Sequence, residues 1–487
     1  MNVTDPIREV ARTRPDAVAM IEDNDIALSY GALVRHIDRF AHRVQALGLL
    51  SGQIVGLTIT GPDEALAVIL ALGLAHLGIA SSETDLPARH LAAVFVQPGV
   101  TPPPNVPAYV FDRSWFAEPT AHGCGTEFSP TAVHQDGETI FRIFATSGTT
   151  GLSRRCAVSH SLQVTRITGK AYPVISPDWP TITICAMGLG STRATRFWLS
   201  TLHTGGTIVF TNPRRLLNTV LRHGVTSIAL SPATLQEIVA RIPPGLGPLP
   251  PLRAITVGGS QLPARLAQTA AERLCANIVT ALGTTEAGTV CRGRYDKLTG
   301  IPLGVGEILP WVEVQAVDAS NMPLPPGTEG LLRIRSPDAV AGYFDDEDAT
   351  QDAFRDGWFY PGDIGSVTPE GVLIVTGRTG DFINHGGVKV NPRLIEDVLM
   401  SLPRVNQAVA FGVPDADGLA QIWAAIVPEA PIEAAVLNRL CAEKLGAKAP
   451  KFILQMKDLP RNENGKVVTS VLVDYAAARY RSAGKPG

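Results

Sequence analysis

The sequence predicts an α/β fold: a large N-terminal domain of layered sheets and helices with a β-rich subdomain, followed by a small α+β C-terminal domain. Its 487 residues are too many for one hydrophobic core. Hydrophobic residues make up 45% of the chain and charged residues 18%, so apolar side chains can fill several cores. Short apolar runs alternate with segments of helical periodicity, which is the pattern of buried, mostly parallel sheets.

The first 300 residues carry this alternation most clearly. Residues 30–48 and 263–276 have apolar side chains at helical spacing. Residues 65–80 are the most apolar long stretch, and because they are too short to cross a bilayer we predict a buried helix starting near Asp63. The short apolar runs predicted as buried strands are 53–60, 206–210, 226–230 and 253–259.

The character of the sequence changes twice after residue 300. Residues 301–379 contain strand-like runs separated by Gly/Pro turns, which predict a β-rich subdomain. After the sequence GRTGD, a compact segment mixes helical and strand patterns. We therefore expect an N-terminal domain over residues 1–379 and a C-terminal domain over residues 380–487.

Charge, cysteine content and the first residues narrow the class of protein. Lys and Arg number 42 against 45 Asp and Glu, a net charge of −3 that gives no electrostatic reason to expect a nucleic-acid partner. The six cysteines are scattered without a CxxC pair, which argues against a disulfide framework or a zinc site. The chain starts without the apolar segment of a secretory signal. We expect a cytoplasmic protein that binds neither nucleic acid nor a membrane.

One short run of small and hydroxylated residues stands out. Such a run is a poor helix and a poor strand, but the N–H groups of a Gly-rich turn form a concave nest for anions, and hydroxyls add donors. Arg154 and Arg155 follow it, so a triphosphate is a suitable ligand. The chain has no Walker motif and no GxGxxG after a strand, and by itself the run is more often a surface loop. Its members are Thr146, Ser147, Gly148, Thr149, Thr150 and Gly151.

These six residues, TSGTTG, resemble the phosphate loop of the adenylate-forming superfamily, which comprises acyl- and aryl-CoA synthetases, adenylation domains of nonribosomal peptide synthetases and firefly luciferase. Residues 27–57 also resemble the family's opening segment. Ordered blocks of this kind are far more specific than one loop. The later blocks, in the family's order, are VGGSQL (257–262), LGTTEAG (282–288), GYFDDEDATQDAFRDGWFYPGD (342–363), GRTGDFINHGGVKVNPRLIE (377–396) and LPRNENGK (459–466).

The resemblance implies an enzyme that joins a small-molecule carboxylic acid to the α-phosphate of ATP, releasing pyrophosphate and leaving an acyl-adenylate. Glu286 would help to hold Mg²⁺, a hard cation that prefers oxygen ligands. Lys466 would be the catalytic lysine, between the carboxylate and the α-phosphate. Asp363 and Arg378 would bind the ribose hydroxyls. The residues implied to bind ATP are Thr146, Ser147, Gly148, Thr149, Thr150, Gly151, Gly258, Gly259, Ser260, Gly283, Thr284, Thr285, Asp363 and Arg378.

Each of these roles has a plainer structural alternative. Glu286 alone could be a solvated carboxylate at a helix start, and Asp363 a turn-forming residue after a glycine. Arg378 could form a surface ion pair, and Lys466 could be a solvated lysine in a polar turn. The functional interpretation rests on the joint occurrence of the blocks.

The resemblance also implies that the C-terminal domain is mobile. Gly380 occupies the family's hinge position, where Asp or Lys is usual, and glycine tolerates large backbone changes. The swing would remove Lys466 and bring residues 384–390, with two glycines, to the adenylate so that a thiol can attack.

Three positions depart from the family pattern. Ser153-Arg154-Arg155 replaces Pro-Lys-Gly, Leu282 replaces an aromatic residue, and Pro361 replaces a threonine. Arg and Lys bind phosphate differently. These departures bear on nucleotide affinity more than on the type of reaction.

The acid and the acceptor remain open at this point. Residues 185–198 lack the aspartate that binds the amine in amino-acid-activating relatives, so we expect a carboxylic acid that is not an α-amino acid. Small residues at 188 and 190–192 leave room for an acyl or aryl group. Arg193 and Arg196 could meet a second carboxylate or face solvent. Coenzyme A is the expected thiol, because too few residues follow Lys466 for a fused carrier domain. The alternatives are a separate carrier protein as acceptor, or an ATP-binding relative with eroded motifs and no ligase activity.

Overall fold

In the described part of the chain, the strands form three sheets and a two-stranded hairpin. The computed structural model describes residues 1–58, 63–83, 85–117, 137–146, 154–168, 181–188, 190–212, 214–243, 245–301, 303–385, 388–402, 404–414, 420–461 and 467–482. Its helices are α1 (Asp5–Thr13), α2 (Tyr30–Ala46), α3 (Glu64–His76), α4 (His160–Ile167), α5 (Thr192–His203), α6 (Leu216–His223), α7 (Pro232–Arg241), α8 (Ala264–Arg273), α9 (Tyr295–Leu298), α10 (Glu347–Ala353), α11 (Pro392–Met400), α12 (Ala434–Leu445) and α13 (Thr469–Ser482).

The strands are short, as expected for buried α/β sheets. They are β1 (Val18–Ile21), β2 (Ala27–Ser29), β3 (Ile54–Leu57), β4 (Ala80–Ser82), β5 (Ala93–Val96), β6 (Ala108–Val110), β7 (Ile140–Ala145), β8 (Arg155–Ser159), β9 (Ile182–Ala186), β10 (Thr207–Val209), β11 (Ser227–Leu230), β12 (Ala254–Val257), β13 (Ile278–Thr284), β14 (Gly288–Arg294), β15 (Gly304–Ile308), β16 (Glu313–Val317), β17 (Gly330–Arg335), β18 (Phe354–Arg355), β19 (Trp358–Phe359), β20 (Asp363–Val367), β21 (Val372–Arg378), β22 (Ile383–His385), β23 (Val388–Val390), β24 (Val405–Pro414), β25 (Ala420–Pro428) and β26 (Phe452–Gln455).

The two main sheets differ in strand direction. One has the order β6-β5-β3-β4-β7-β8 and is parallel up to β7, whose partner β8 is antiparallel. The other runs β18-β19-β17-β20-β21-β15-β14-β13-β12-β11-β9-β10-β1-β2, with β16 paired to β17. Its strands from β13 back through β12, β11, β9 and β10 to β1 are parallel, and from β14 to β21 the neighbours pair antiparallel. The β-rich segment predicted after residue 300 is this antiparallel part.

Helix α3 is the centre of the largest core. Asp63 caps it, accepting a hydrogen bond from the Leu66 N–H at 3.1 Å, and every residue from Ala65 to Ala75 is buried. Gly73 lets α2 approach closely, because a Cβ there would lie 3.1 Å from the Cβ of Phe40. The prediction of a buried helix is confirmed. None of the helices in the described ranges is long and apolar enough to cross a membrane.

The C-terminal residues build a core of their own around the sheet β24-β25-β26. Ile422, Ala424 and Ile426 face the core that contains α11 and α12, whereas Trp423 and Ala425 face the core that contains α13. This alternation is the period of two expected for a strand covered on both faces. The predicted fold class, a large α/β domain with a small α+β domain, is confirmed, while the boundary near residue 380 stays a prediction.

Two histidines, His160 buried and His203 half-buried, fix the first residues of the chain. The Val3 N–H donates to His160 Nδ1 at 3.2 Å, and His203 Nε2 donates to the Val3 carbonyl at 2.8 Å. Because His160 accepts through Nδ1, its ring is neutral. Burial disfavours the charged ring and lowers the pKa of both histidines to about 4.

We expect acid to destabilise the protein through these two rings. Their folded-state pKa lies below the unfolded value of about 6.5, so their stabilisation is complete above that pH and is lost as the pH falls toward 4. Between pH 7.5 and 5.0 the loss should be on the order of 1–2 kcal/mol per histidine. Urea denaturation at the two pH values measures it. His160→Gln should flatten the pH dependence, whereas His42→Gln, at an exposed position, should not. Parallel curves for His160→Gln and wild type would contradict this origin.

Candidate functional site

One large cleft collects the carboxyl ends of strands from both main sheets. Its volume is about 2920 Å³, and its walls include residues from β7, β12, β13, β20 and β21 as well as the C-terminal residues 393–412. Pockets for one small molecule are usually about 300–1,000 Å³. The cleft therefore has room for more than one substrate.

The hairpin β7–β8 carries the predicted phosphate loop to this cleft. The Thr146 N–H donates to the Arg154 carbonyl at 2.7 Å and closes the base of the loop, and both residues line the cleft. Ser147, Gly148, Thr149, Thr150 and Gly151 lie outside the described residues. The two arginines that follow have different surroundings, because Arg155 pairs with Asp85 at 3.0 Å whereas Arg154 lies at the cleft wall.

Glu286 lies in the turn between β13 and β14, so the alternative of a helix-start carboxylate is wrong. Its side chain is 9% exposed and lines the cleft. The Tyr343 hydroxyl donates to Glu286 Oε1 at 3.0 Å. Arg166, fully buried, donates to the carbonyls of Thr285 at 3.0 Å and Asp338 at 2.7 Å, which fixes the turn from beneath. The carboxylate is thus presented to the cleft from a rigid turn.

The residues just before Glu286 also line the cleft. Gly283 permits the tight hairpin, because a Cβ there would lie 2.5 Å from the Gly288 carbonyl oxygen. The Thr284 hydroxyl accepts a hydrogen bond from the Ala287 N–H at 2.9 Å, and Thr285 meets Thr192 at 3.3 Å. Gly283 and Thr284, both predicted to bind ATP, thus also shape the turn.

Gly258, Gly259 and Ser260 follow β12 and line the same wall. The guanidinium of Arg193 lies directly over Gly258, where a Cβ would come within 1.5 Å of Arg193 Nη1. That nitrogen donates to the Ala281 carbonyl at 3.2 Å. Gly259 has a φ of +100°, which favours glycine.

Asp363 and Arg378 face each other across β20 and β21. Arg378 Nε donates to Asp363 Oδ1 at 2.7 Å, and Arg378 Nη2 donates to the Pro361 carbonyl at 3.2 Å. Both side chains line the cleft. The ion-pair alternative for Arg378 is therefore partly right, with Asp363 as its partner, and the pair stands where a ligand can reach it. Pro361 keeps the carbonyl that Arg378 uses, despite the missing threonine hydroxyl.

The hinge and lysine predictions fall at the edge of what the structure describes. Gly380 is exposed in the turn after β21, lines the cleft, and a Cβ there would meet nothing within 4 Å. Lys466 and the glycines at 386 and 387 lie outside the described residues. The C-terminal residues touch the cleft rim through polar pairs only partly buried: Arg393 with Gln261, Gln407 with Gln236 and Arg265 with Glu429.

Charged side chains that sequence analysis did not single out also face the cleft. Glu64 and Glu83 line it from the start of α3 and the end of β4, and burial raises the pKa of Glu64 to about 6. The order of the strands brings these two glutamates beside residues 185–198. The cleft wall therefore contains acidic side chains, although the segment 185–198 itself has none. The solvent alternative for Arg196 is wrong, because it is 8% exposed and donates to Thr289 Oγ1 at 2.6 Å.

A magnesium ion fits this site if the protein and a bound polyphosphate both supply its ligands. Within the described ranges, no group of three or more His, Cys, Asp and Glu side chains could hold a metal. Glu286 supplies a carboxylate to the cleft that Arg154 and Thr146, at the base of the phosphate loop, also line. Mg²⁺ is commonly bound by one or two carboxylates together with substrate phosphates and water, so this donor set suits a metal that arrives with a polyphosphate.

Comparison with known families and curated proteins gives consistent matches. A family model described as AMP-binding enzyme matches residues 101–344, and one described as AMP-binding enzyme C-terminal domain matches residues 394–466. Salicylyl-CoA synthase / salicylate adenylyltransferase of a Streptomyces species is 27% identical over 98% of this chain and 94% of its own length. 2-Succinylbenzoate–CoA ligase of Bacillus mycoides is 32% identical, over 50% of this chain and 51% of its own. A 3-hydroxybenzoate–CoA/4-hydroxybenzoate–CoA ligase of Thauera aromatica is 28% identical over 68% and 65%.

Solved structures share the fold over nearly the whole chain. ATP-bound MatB from Rhodopseudomonas palustris has a TM-score of 0.83 at 23% identity, covering 99% of this chain and 100% of that chain. o-Succinylbenzoate coenzyme A synthetase from Bacillus subtilis, in complex with ATP and a magnesium ion, has a TM-score of 0.81 at 20% identity, covering 96% and 98%. At this identity the likeness shows the fold.

Proposed function

This chain belongs to the AMP-binding enzyme family, and from that premise we propose that it joins an aromatic or other acyl carboxylic acid to coenzyme A through an acyl-adenylate. The prediction of an AMP-forming acid–thiol ligase that uses ATP is confirmed by relatives that are CoA ligases of salicylate, 2-succinylbenzoate and hydroxybenzoate. The choice of an aromatic acid rests on these relatives. A separate carrier protein stays the alternative acceptor.

The proposed reaction has two steps, and each step forms one bond and breaks another. A carboxylate oxygen of the acid attacks the α-phosphorus of ATP, and the bond to pyrophosphate breaks. The sulfur of the thiol then attacks the acyl carbon, AMP leaves, and the thiol proton goes to solvent or a base. Both steps concentrate negative charge, so the cleft must supply positive charge and hydrogen-bond donors.

The residues proposed for the first step come from separate elements of one cleft. Asp363 and Arg378 would bind the ribose, and Arg154 with the loop 146–151 would bind the outer phosphates. Mg²⁺, when bound through Glu286, would neutralise phosphate charge. The convergence of β7–β8, the β13–β14 turn and the β20–β21 pair on one cleft is the observation that carries this proposal.

Acid-dependent exchange of pyrophosphate into ATP tests it directly. The panel should hold salicylate, hydroxybenzoates, 2-succinylbenzoate, malonate, fatty acids and α-amino acids, followed by mass spectrometry of products with coenzyme A or a pantetheinylated carrier. We expect exchange with one class of aromatic or acyl acids and formation of its CoA thioester. ATP binding without exchange for any acid would overturn the proposal and favour a relative without ligase activity.

The wall formed by Gly258 and Arg193 should influence use of the acid. In Gly258→Ala the new Cβ occupies the place of Arg193 Nη1, and the flexible guanidinium must leave the Ala281 carbonyl. We expect KM for the acid to rise on the order of tenfold, with thermal stability nearly unchanged.

A double-mutant cycle with Arg193→Ala isolates this route. If displacement of Arg193 causes the effect, the double variant should match Arg193→Ala alone. Additive increases in KM would show that Gly258→Ala acts by another path.

A further inference from the structure

Tyr343 lies between two groups of the proposed site. Its hydroxyl donates to Glu286 Oε1 at 3.0 Å, and the guanidinium of Arg154 lies over its ring at 5.1 Å from the centroid. A phenol is protonated at neutral pH, so the hydroxyl acts as the donor to this carboxylate. One side chain thus touches both the carboxylate and the cation.

The segment around Tyr343 is anchored on two sides. The Tyr343 N–H donates to Thr350 Oγ1 at 2.9 Å, and its ring packs edge-on against Phe354 at 5.6 Å. The Phe344 N–H donates to the Arg155 carbonyl at 2.7 Å, directly beside the exit of the phosphate loop. The ring is therefore held at a fixed distance from the start of β8, which Arg154 directly precedes.

Glu286 depends on Tyr343 for the direction of its carboxylate. Arg166 fixes the backbone of the turn through carbonyls, but it does not hold the side chain. Among the described residues, Tyr343 is the side chain that donates to this carboxylate. Removal of the hydroxyl leaves the backbone in place and frees the carboxylate to rotate.

The ring also accounts for one departure of this sequence from its family. Arg154 stands where lysine is usual, and a planar guanidinium stacks on an aromatic face better than a compact ammonium group. Stacking on Tyr343 limits the freedom of Arg154 and sets it at the cleft.

We propose that Tyr343 is a positioning residue that sets the Glu286 carboxylate and the Arg154 guanidinium in register for one metal-bound triphosphate. This inference rests on the proposed function. Its hydroxyl serves the metal side through Glu286, and its ring serves the phosphate side through Arg154. The two contributions separate experimentally, because phenylalanine keeps the ring and leucine keeps neither.

Calorimetric titration of ATP, with saturating Mg²⁺ and with EDTA, tests the proposal without turnover. Mg²⁺ increases the affinity for ATP, and we expect this increase to be about tenfold smaller in Tyr343→Phe than in wild type. The affinity of Tyr343→Phe for ATP in EDTA should equal the wild-type value. Tyr343→Leu should lose affinity under both conditions. Tyr109→Phe is the control, since Tyr109 is a half-buried tyrosine on β6 that does not line the cleft, and it should behave as wild type.

Two results would overturn the inference. One is a Tyr343→Phe protein with the wild-type gain from Mg²⁺, and the other is an equal loss with Mg²⁺ and with EDTA, which indicates a general structural role. The Mg²⁺ concentration for half-maximal pyrophosphate exchange should rise in parallel for Tyr343→Phe. If wild type shows no exchange with any acid, the proposed function fails, but the calorimetric comparison still decides the role of Tyr343.

Discussion

Replacement of Glu286 by glutamine is expected to slow acid-dependent pyrophosphate exchange by about 10²–10³-fold. The substitution keeps the size of the side chain and an acceptor for Tyr343, but it removes the negative charge that would attract Mg²⁺. The site offers little to replace it, because no cluster of three metal ligands exists within the described ranges. A loss of this size is usual when one charged or oxyanion-stabilising group is removed from an active site.

Initial exchange rates over a range of Mg²⁺ concentrations measure this effect. Glu370→Gln, an equally conservative change at an exposed position, is the control and should leave the rate unchanged. Excess Mg²⁺ should restore part of the rate in Glu286→Gln, because a weakened metal site can still be filled by mass action. A rate within twofold of wild type would remove Glu286 from the proposed metal site.

Lys466→Ala is expected to separate the two half-reactions. Adenylation should fall on the order of 10²–10³-fold, because the lysine would stabilise charge shared by the carboxylate and the α-phosphate. Transfer of a supplied acyl-adenylate to coenzyme A should stay near the wild-type rate, because the proposed swing about Gly380 removes Lys466 before the thiol attacks.

Single-turnover assays that start from ATP and acid, or from the chemically prepared acyl-adenylate, measure the two steps independently. Lys457→Ala, at an exposed position in the same part of the chain, should leave both rates unchanged. Equal loss of both steps in Lys466→Ala would contradict the two-position model of the C-terminal residues.

The elements of the fold were predictable where one local pattern decided them. The apolar run at 65–80 reads as helix because it follows a capping Asp63, and the structure buries α3 on all sides. The runs 226–230 and 253–259 became β11 and β12, whose β-branched and aliphatic side chains suit buried strands. Such outcomes depend on a few neighbouring residues, so sequence carries them.

The cleft was only partly predictable. Asp363 and Arg378 were singled out through the family's motifs, yet sequence could not show that they pair at 2.7 Å across two strands. Glu83 escaped notice because no motif surrounds it, and only the parallel order of β4 and β7 brings it to the cleft. Sequence analysis did not single out Arg166, because its burial beneath the Glu286 turn depends on contacts more than 100 positions apart in sequence. Information of this kind resides in topology.

The polar pairs at the cleft rim have a consequence for motion. Two of these contacts are hydrogen bonds, Arg393 with Gln261 and Gln407 with Gln236, and the third is the ion pair of Arg265 with Glu429. Water can replace such exposed polar contacts with little loss of free energy. An apolar interface between the same surfaces would hold them together more strongly, because exposing apolar area to water costs free energy. If the C-terminal residues swing about Gly380 as proposed, breaking these polar contacts would cost little free energy. Ions in solution screen the Arg265–Glu429 attraction, so added salt should then favour the arrangement in which this pair is separated.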